Sequence, residues 1–140
     1  MSDRHRYIGL CSVLLVCTAL SHSVSGANLV AFVSTDKLSV GDEIRFDVAI
    51  VAGKQTTITP PATEEGFGNI VVKEWNVHTT EQETADSSTY NYILTTYTPE
   101  PCTIPSLPFY LEHDDRIDTL RTDAIPLHII SVLPSDTVDL

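Results

Sequence analysis

STYNYILTTYTPEPCTIPSLPFYL, residues 88 to 111, is the stretch whose reading decides the fold. Tyr90, Tyr92, Leu94 and Thr96 fall on one face at the two-residue spacing of a strand, and Asn91, Ile93, Thr95 and Tyr97 on the other. Both faces carry apolar weight. That predicts a strand central to its sheet, with core beneath and a partly covered surface above. Thr98-Pro99-Glu100-Pro101 must then turn, because neither proline has an N–H to give to a neighbouring strand. The chain resumes at Cys102-Thr103-Ile104, is interrupted by Pro105 and Pro108, and presents Leu107, Phe109 and Leu111 in alternation.

The same period recurs on both sides. Leu29 to Thr35 reads as a first strand, and Leu38 to Asp42 as a turn built on Gly41. In Glu43 to Val51 the residues Ile44, Phe46, Val48 and Ile50 point one way, and Glu43, Arg45, Asp47 and Ala49 the other, towards water. Thr56 to Pro61 reads as a short edge strand or an extended loop. Gly66-Phe67-Gly68 is a turn that buries Phe67 as a plug. Asn69 to Thr80 is the next strand, with Val71, Trp75 and Val77 on one face and Lys73 interrupting it. Glu81 to Ser87 is an acidic connector, and Glu112 to Arg116 a polar turn. Ile117 to Thr122 and Ala124 to Leu133 close the domain, Pro126 placing the last element at an edge or bulge. No apolar stripe of helical period runs for three turns. The expected fold is all-β: an antiparallel, immunoglobulin-like β-sandwich of about seven to eight strands, with a small closed barrel as the alternative.

Residues 1–27 have the pattern of an export signal. Arg4, His5 and Arg6 form a basic start, Tyr7 to Leu20 an apolar run, and Ser25-Gly26-Ala27 places small residues at the −3 and −1 positions, predicting cleavage between Ala27 and Asn28. The apolar run of 14 residues falls short of the roughly 20 that span a bilayer. A retained anchor is the alternative. Lipid attachment at Cys11 or Cys17 is disfavoured by the large Leu10 and Val16 before them. The mature domain then covers residues 28–133, and residues 134–140 are a polar tail or the start of a linker. Without Asp3, Arg4 and Arg6, 18 acidic residues face 6 basic ones, for a net charge of about −12. Nucleic acid and anionic lipid both demand a basic footprint, so neither is an expected partner. Cys102 is the only cysteine after the signal, which excludes an internal disulfide and predicts a small buried hydrophobe.

No serine elbow, zinc-protease helix or phosphate-cradling glycine loop occurs in the sequence, so no catalytic residue, cofactor or metal ligand is assigned and the chain is not expected to be an enzyme. His113-Asp114-Asp115 is its tightest group of oxygen and nitrogen ligands, yet it lacks the alternation and glycine of a calcium loop and reads as a solvated hairpin tip. Glu64 and Glu65 are adjacent, and adjacent residues point apart rather than at one bond. Two functional classes remain. One is a protein-interaction or scaffold module that docks a partner through a sheet face or edge. The other is a carbohydrate-binding or adhesion module that stacks sugars on aromatic rings. Trp75 and Tyr97 are the candidate ligand or partner contacts. Burial of Trp75, Tyr90, Tyr92 and Tyr97 would remove the sugar platform, whereas two or more of them on one exposed face would supply it.

Leu38-Ser39-Val40-Gly41-Asp42-Glu43-Ile44 opening an alternating strand, Gly66-Phe67 before a β segment, Tyr90-Asn91-Tyr92-Ile93-Leu94 leading through a proline turn to Thr103-Ile104-Pro105, and the closing Thr119-Leu120-Arg121-Thr122 and Pro126 to Val132 together resemble the N-terminal domain of the BatD family of aerotolerance-associated proteins. The resemblance implies an exported, periplasmic or cell-envelope scaffold working beside AAA+ ATPase and von Willebrand-type proteins, with no catalytic residue. Two departures stand out. Cys102 occupies a position where the family usually has glycine, and family members continue into further periplasmic sequence and a transmembrane helix. The expectation is therefore an amino-terminal piece of a protein that meets the membrane only through a downstream anchor, with a free-standing relative as the alternative.

Overall fold

Residues 26–130, described by the computed structural model, carry ten strands: β1 (Asn28–Val33), β2 (Lys37–Ser39), β3 (Ile44–Gly53), β4 (Thr57–Thr59), β5 (Ile70–Glu81), β6 (Ala85–Thr96), β7 (Cys102–Ile104), β8 (Pro108–His113), β9 (Arg116–Arg121) and β10 (Ile125–Ile130). The first 25 residues of the expected signal and the tail from Pro134 lie outside the described residues, as does the end of the expected last strand.

One layer has the order β1-β3-β6-β5, antiparallel throughout. The expected central strand is indeed interior, β6 lying between β3 and β5. The other layer consists of two short ladders, β2-β10-β7 and β4-β8-β9. They form one bent sheet, because β7 runs into β8 and β9 into β10, so that both ladders share the same two middle strands. The bend falls where Pro105 interrupts the ladder. There the Leu107 N–H donates to Thr122 Oγ1 at 2.8 Å and the Thr122 N–H donates to the Leu107 carbonyl at 3.0 Å. Counted through this bend the ten segments are eight strands, four over four. Their order is that of an immunoglobulin-type sandwich with one added strand, β2.

Phe46, Val48 and Ile50 of β3 and Tyr90, Tyr92 and Leu94 of β6 meet Ile104, Phe109, Leu111, Leu120 and Leu127 of the other layer in one core. The Tyr90 and Phe109 rings join the layers edge to face, 5.2 Å apart. Phe67 plugs the bottom of this core as expected, buried and edge-on to Tyr92 at 6.1 Å.

Four local readings change. Lys37–Ser39 is a strand rather than part of a turn, because it pairs in parallel with His128–Ile130, a partner about ninety residues away that local sequence does not reveal. Asp47 does not face water. It lies opposite Phe32 of β1, is 4% exposed, and accepts hydrogen bonds from Arg45 Nε (3.1 Å) and Asn91 Nδ2 (2.6 Å). Pro126 sits in an interior strand, yet β2 reaches only as far as His128, so the missing N–H leaves no ladder bond unmade on that side. Val71 does not share a face with Trp75, for a reason that belongs to the site below.

Tyr92 is fully enclosed, and among the described residues its hydroxyl has no hydrogen-bond partner. Burial raises its pKa well above the ordinary tyrosine value, and that of Tyr90 in the same direction. The folded state therefore keeps a proton that the unfolded chain releases above about pH 10. Below that pH the linkage costs nothing. Above it, stability falls by about 1.4 kcal/mol per pH unit for Tyr92 alone. Tyr92→Phe removes the orphan hydroxyl and the linkage together, so we expect a gain of about 1 kcal/mol at pH 7 and a shallower alkaline decline. Urea unfolding at pH 7 and at pH 10.5 checks both. A variant less stable than the parent at pH 7 would mean that the hydroxyl has a partner.

Candidate functional site

Among the described residues strand β5 is an outer strand, hydrogen-bonded to β6 on one side only. Its pairing slips between Val72 and Glu74, where Lys73 forms a β-bulge. Up to Val72 the chain is in one phase, with Val72 opposite the buried Leu94. One extra residue inverts the phase. Trp75 then lies opposite Tyr92, Val77 opposite Tyr90 and Thr79 opposite Ser88, all on the face that looks towards the second layer. Val71, opposite Thr95, is left on the outside.

The second layer does not reach far enough to cover them. Its edge strand β4 has only three residues, pairing Thr57 to Thr59 with Glu112 to Tyr110, before Pro60-Pro61 ends it. Trp75 remains 41% exposed and Val77 47% exposed on the inner side of their sheet. Trp75 stacks along the core tyrosines, 6.0 Å from Tyr92 and 6.4 Å from Tyr90, with interplanar angles of 23° and 25°. A cleft of about 230 Å³ opens at Val77, lined further by Thr79, Ser88 and Tyr90 of the first layer and Ile58 of β4. It shares Ala52, Gly53 and Thr56 with a second cleft of about 190 Å³ at the end of the sandwich, beneath Leu111 and Arg116.

Charge at this edge is sparse and one-sided. Lys73 is held by Glu43 at 2.6 Å, whose carboxylate raises the lysine pKa, and Lys54 is held by Asp86 at 2.6 Å. Glu74 and Glu81 stand exposed along β5. The arrangement suits an extended segment that completes the β5 ladder and covers Trp75 and Val77.

The expected contacts are not brought together. Trp75 belongs to the edge, whereas Tyr97, 61% exposed, lies past the end of β6. Tyr90 and Tyr92 are buried, so the sugar platform keeps two of its four rings, and those two sit on different segments. Val77 and the cleft were not singled out from sequence; Lys73 interrupting the alternation marks an irregularity in the strand, but the bulge that turns Val77 inward is set by the pairing with β6. Ala27 is 5% exposed and packs into the core, while Asn28 starts β1. Cleavage between them would strip one small side chain from the core. His113 ends β8, its Nε2 3.1 Å from Asp114 Oδ2, and Asp114 and Asp115 both take positive φ, 50° and 61°, in the two-residue turn to β9. This is the solvated hairpin tip expected of it, and among the described residues no three His, Cys, Asp or Glu side chains group closely enough to hold a metal ion. Cys102 is buried and, among the described residues, unpaired, and burial pushes its thiol pKa up.

No protein-family model, curated protein or solved structure matches the chain.

Proposed function

We propose that the chain is a non-catalytic, exported interaction module of the cell envelope that docks a protein partner along β5. The observation that carries this reading is the uncovered edge: a twelve-residue outer strand whose inner face presents the half-exposed Trp75 and Val77, with an open cleft at Val77. An added strand would satisfy the free backbone groups of β5 and bury both side chains at once. The resemblance to BatD-type N-terminal domains points the same way, towards a periplasmic scaffold with AAA+ ATPase and von Willebrand-type partners. The strongly acidic surface favours a partner segment that is apolar and basic in alternation.

The test is direct binding. The genes beside the coding sequence are sequenced, and any ATPase or von Willebrand-type product is purified and titrated against this protein by calorimetry. Binding is expected, weakened at least tenfold by Val77→Lys and unchanged by Thr119→Lys on the other layer. Absence of such neighbours together with retention on a glycan column that Trp75→Ala abolishes would replace this reading with the carbohydrate-binding one.

A further inference from the structure

The cleft at the open edge has a chemistry of its own. We propose that the space between β4 and β5 receives one long cationic side chain, a lysine or an arginine, projected inward by the partner strand that pairs with β5. The proposal rests on reading β5 as a docking edge and names the side chain which that edge selects.

Three observations converge. First, the cleft lies where a partner's side chain would arrive. Val77 and Thr79 of β5 line it from one layer and Ile58 of β4 from the other. Side chains opposite one another across a ladder lie on the same face, so a residue of an added strand that stands opposite Val77 or Thr79 points inward, between the two layers. At about 230 Å³ the space takes a whole side chain. Second, the inner face changes character in steps along β5 and β6. Val77 stands opposite Tyr90, Thr79 opposite Ser88 and Glu81 opposite Asp86: an apolar row, a hydroxyl row whose two oxygens are hydrogen-bonded at 3.0 Å, and a carboxylate row. Successive rows are about 7 Å apart, within reach of a lysine or arginine standing opposite Thr79. Its methylene stem meets the walls at Val77 and Ile58, and its charged end meets the carboxylates. Third, the charge of that last row is unbalanced. Glu81 and Asp86 are directly opposite, and like charges so placed are unfavourable. Lys54 holds Asp86 at 2.6 Å, and among the described residues Glu81 has no ion pair. A second cation relieves the repulsion, whereas an anion adds to it.

The probes are capped synthetic peptides of alternating threonine and valine in which one central valine is replaced by lysine, norleucine or glutamate. They are titrated by calorimetry against the protein recovered after expression with its own leader. Norleucine keeps the stem of lysine and drops its charge. The lysine peptide is expected to bind at least tenfold more tightly than the norleucine peptide, and the glutamate peptide to bind most weakly. Glu81→Lys inverts the order in favour of glutamate, with circular dichroism unchanged. Val77→Lys, which sets the chain's own cation in the cleft, abolishes binding of all three. Equal affinity for the lysine and norleucine peptides overturns the proposal, as does a preference that Glu81→Lys leaves alone; where Val77→Lys still abolishes binding, the docking edge stands without its cationic anchor. Absence of binding by every peptide also overturns the anchor. The docking reading then stands if an envelope partner binds and Val77→Lys weakens it, and falls if no partner binds.

Discussion

Phe109→Ala is expected to cost about 3–5 kcal/mol, the range for emptying a fully buried aromatic site. Phe109 has no exposed surface and meets Tyr90 across the two layers at 5.2 Å. Its ring is thus part of what makes the two sheets one core. A domain of this size is stable by only about 5–15 kcal/mol, so the variant should lose at least about 12 °C in Tm. Urea unfolding should give a lower midpoint with the same slope, since the same surface is exposed on unfolding. A cost below about 1 kcal/mol would mean that the layers do not close on this residue. Phe109→Leu keeps most of the volume and should recover more than half of the loss.

The second large effect is a backbone one, at Gly66. This glycine has φ of +67°, and a Cβ placed on it would stand 2.3 Å from the Ile70 carbonyl oxygen. That oxygen accepts the Phe67 N–H at 2.8 Å in the small bridge that seats the Phe67 plug. Gly66→Ala therefore meets the left-handed penalty of about 1–2 kcal/mol and must also displace the acceptor. About 2–4 kcal/mol is expected in all. Gly68 supplies the comparison. Its φ is +71°, but nothing lies within 4 Å of its would-be Cβ, so Gly68→Ala should cost only the backbone part. Equal losses at the two positions would remove the close approach at Ile70 from the account.

These effects are about fold, and they bear on function through the same geometry. Phe67 packs against Tyr92, and Tyr92 carries Trp75. Loosening the plug should therefore loosen the support of the proposed docking edge. The Trp75→Ala change, by contrast, removes a half-exposed ring and leaves the core rings in contact with each other, which makes it a test of binding more than of folding.

Much of this was legible in the sequence because it depends on a local period. Alternation in β3 assigned Ile44, Phe46, Val48 and Ile50 to the core, and in β6 it grouped Tyr90, Tyr92, Leu94 and Thr96 on one face; all eight are buried. The apolar weight on both faces of β6 gave its interior position, and Thr95, on its outer face, is indeed buried. Prolines at 99, 101 and 105 marked the breaks, since the lack of an N–H acts wherever the chain goes. Even Asp114-Asp115 was readable as a hairpin tip. The all-β sandwich follows from these periods together.

What only the tertiary structure decided depends on lengths and partners far apart in the chain. Pairing of β2 with β10 requires a neighbour that comes last in the described sequence. Burial of Asp47 requires Phe32 on the adjoining strand and Asn91 on the other side. The bulge at Lys73, which turns Trp75 and Val77 inward, is a mismatch between two strands and so belongs to neither alone. The open edge arises because β5 runs for twelve residues where β4 runs for three, a comparison between opposite layers that no local pattern contains. Period sets which side of a strand is apolar; only the assembled sheets set whether that side is covered.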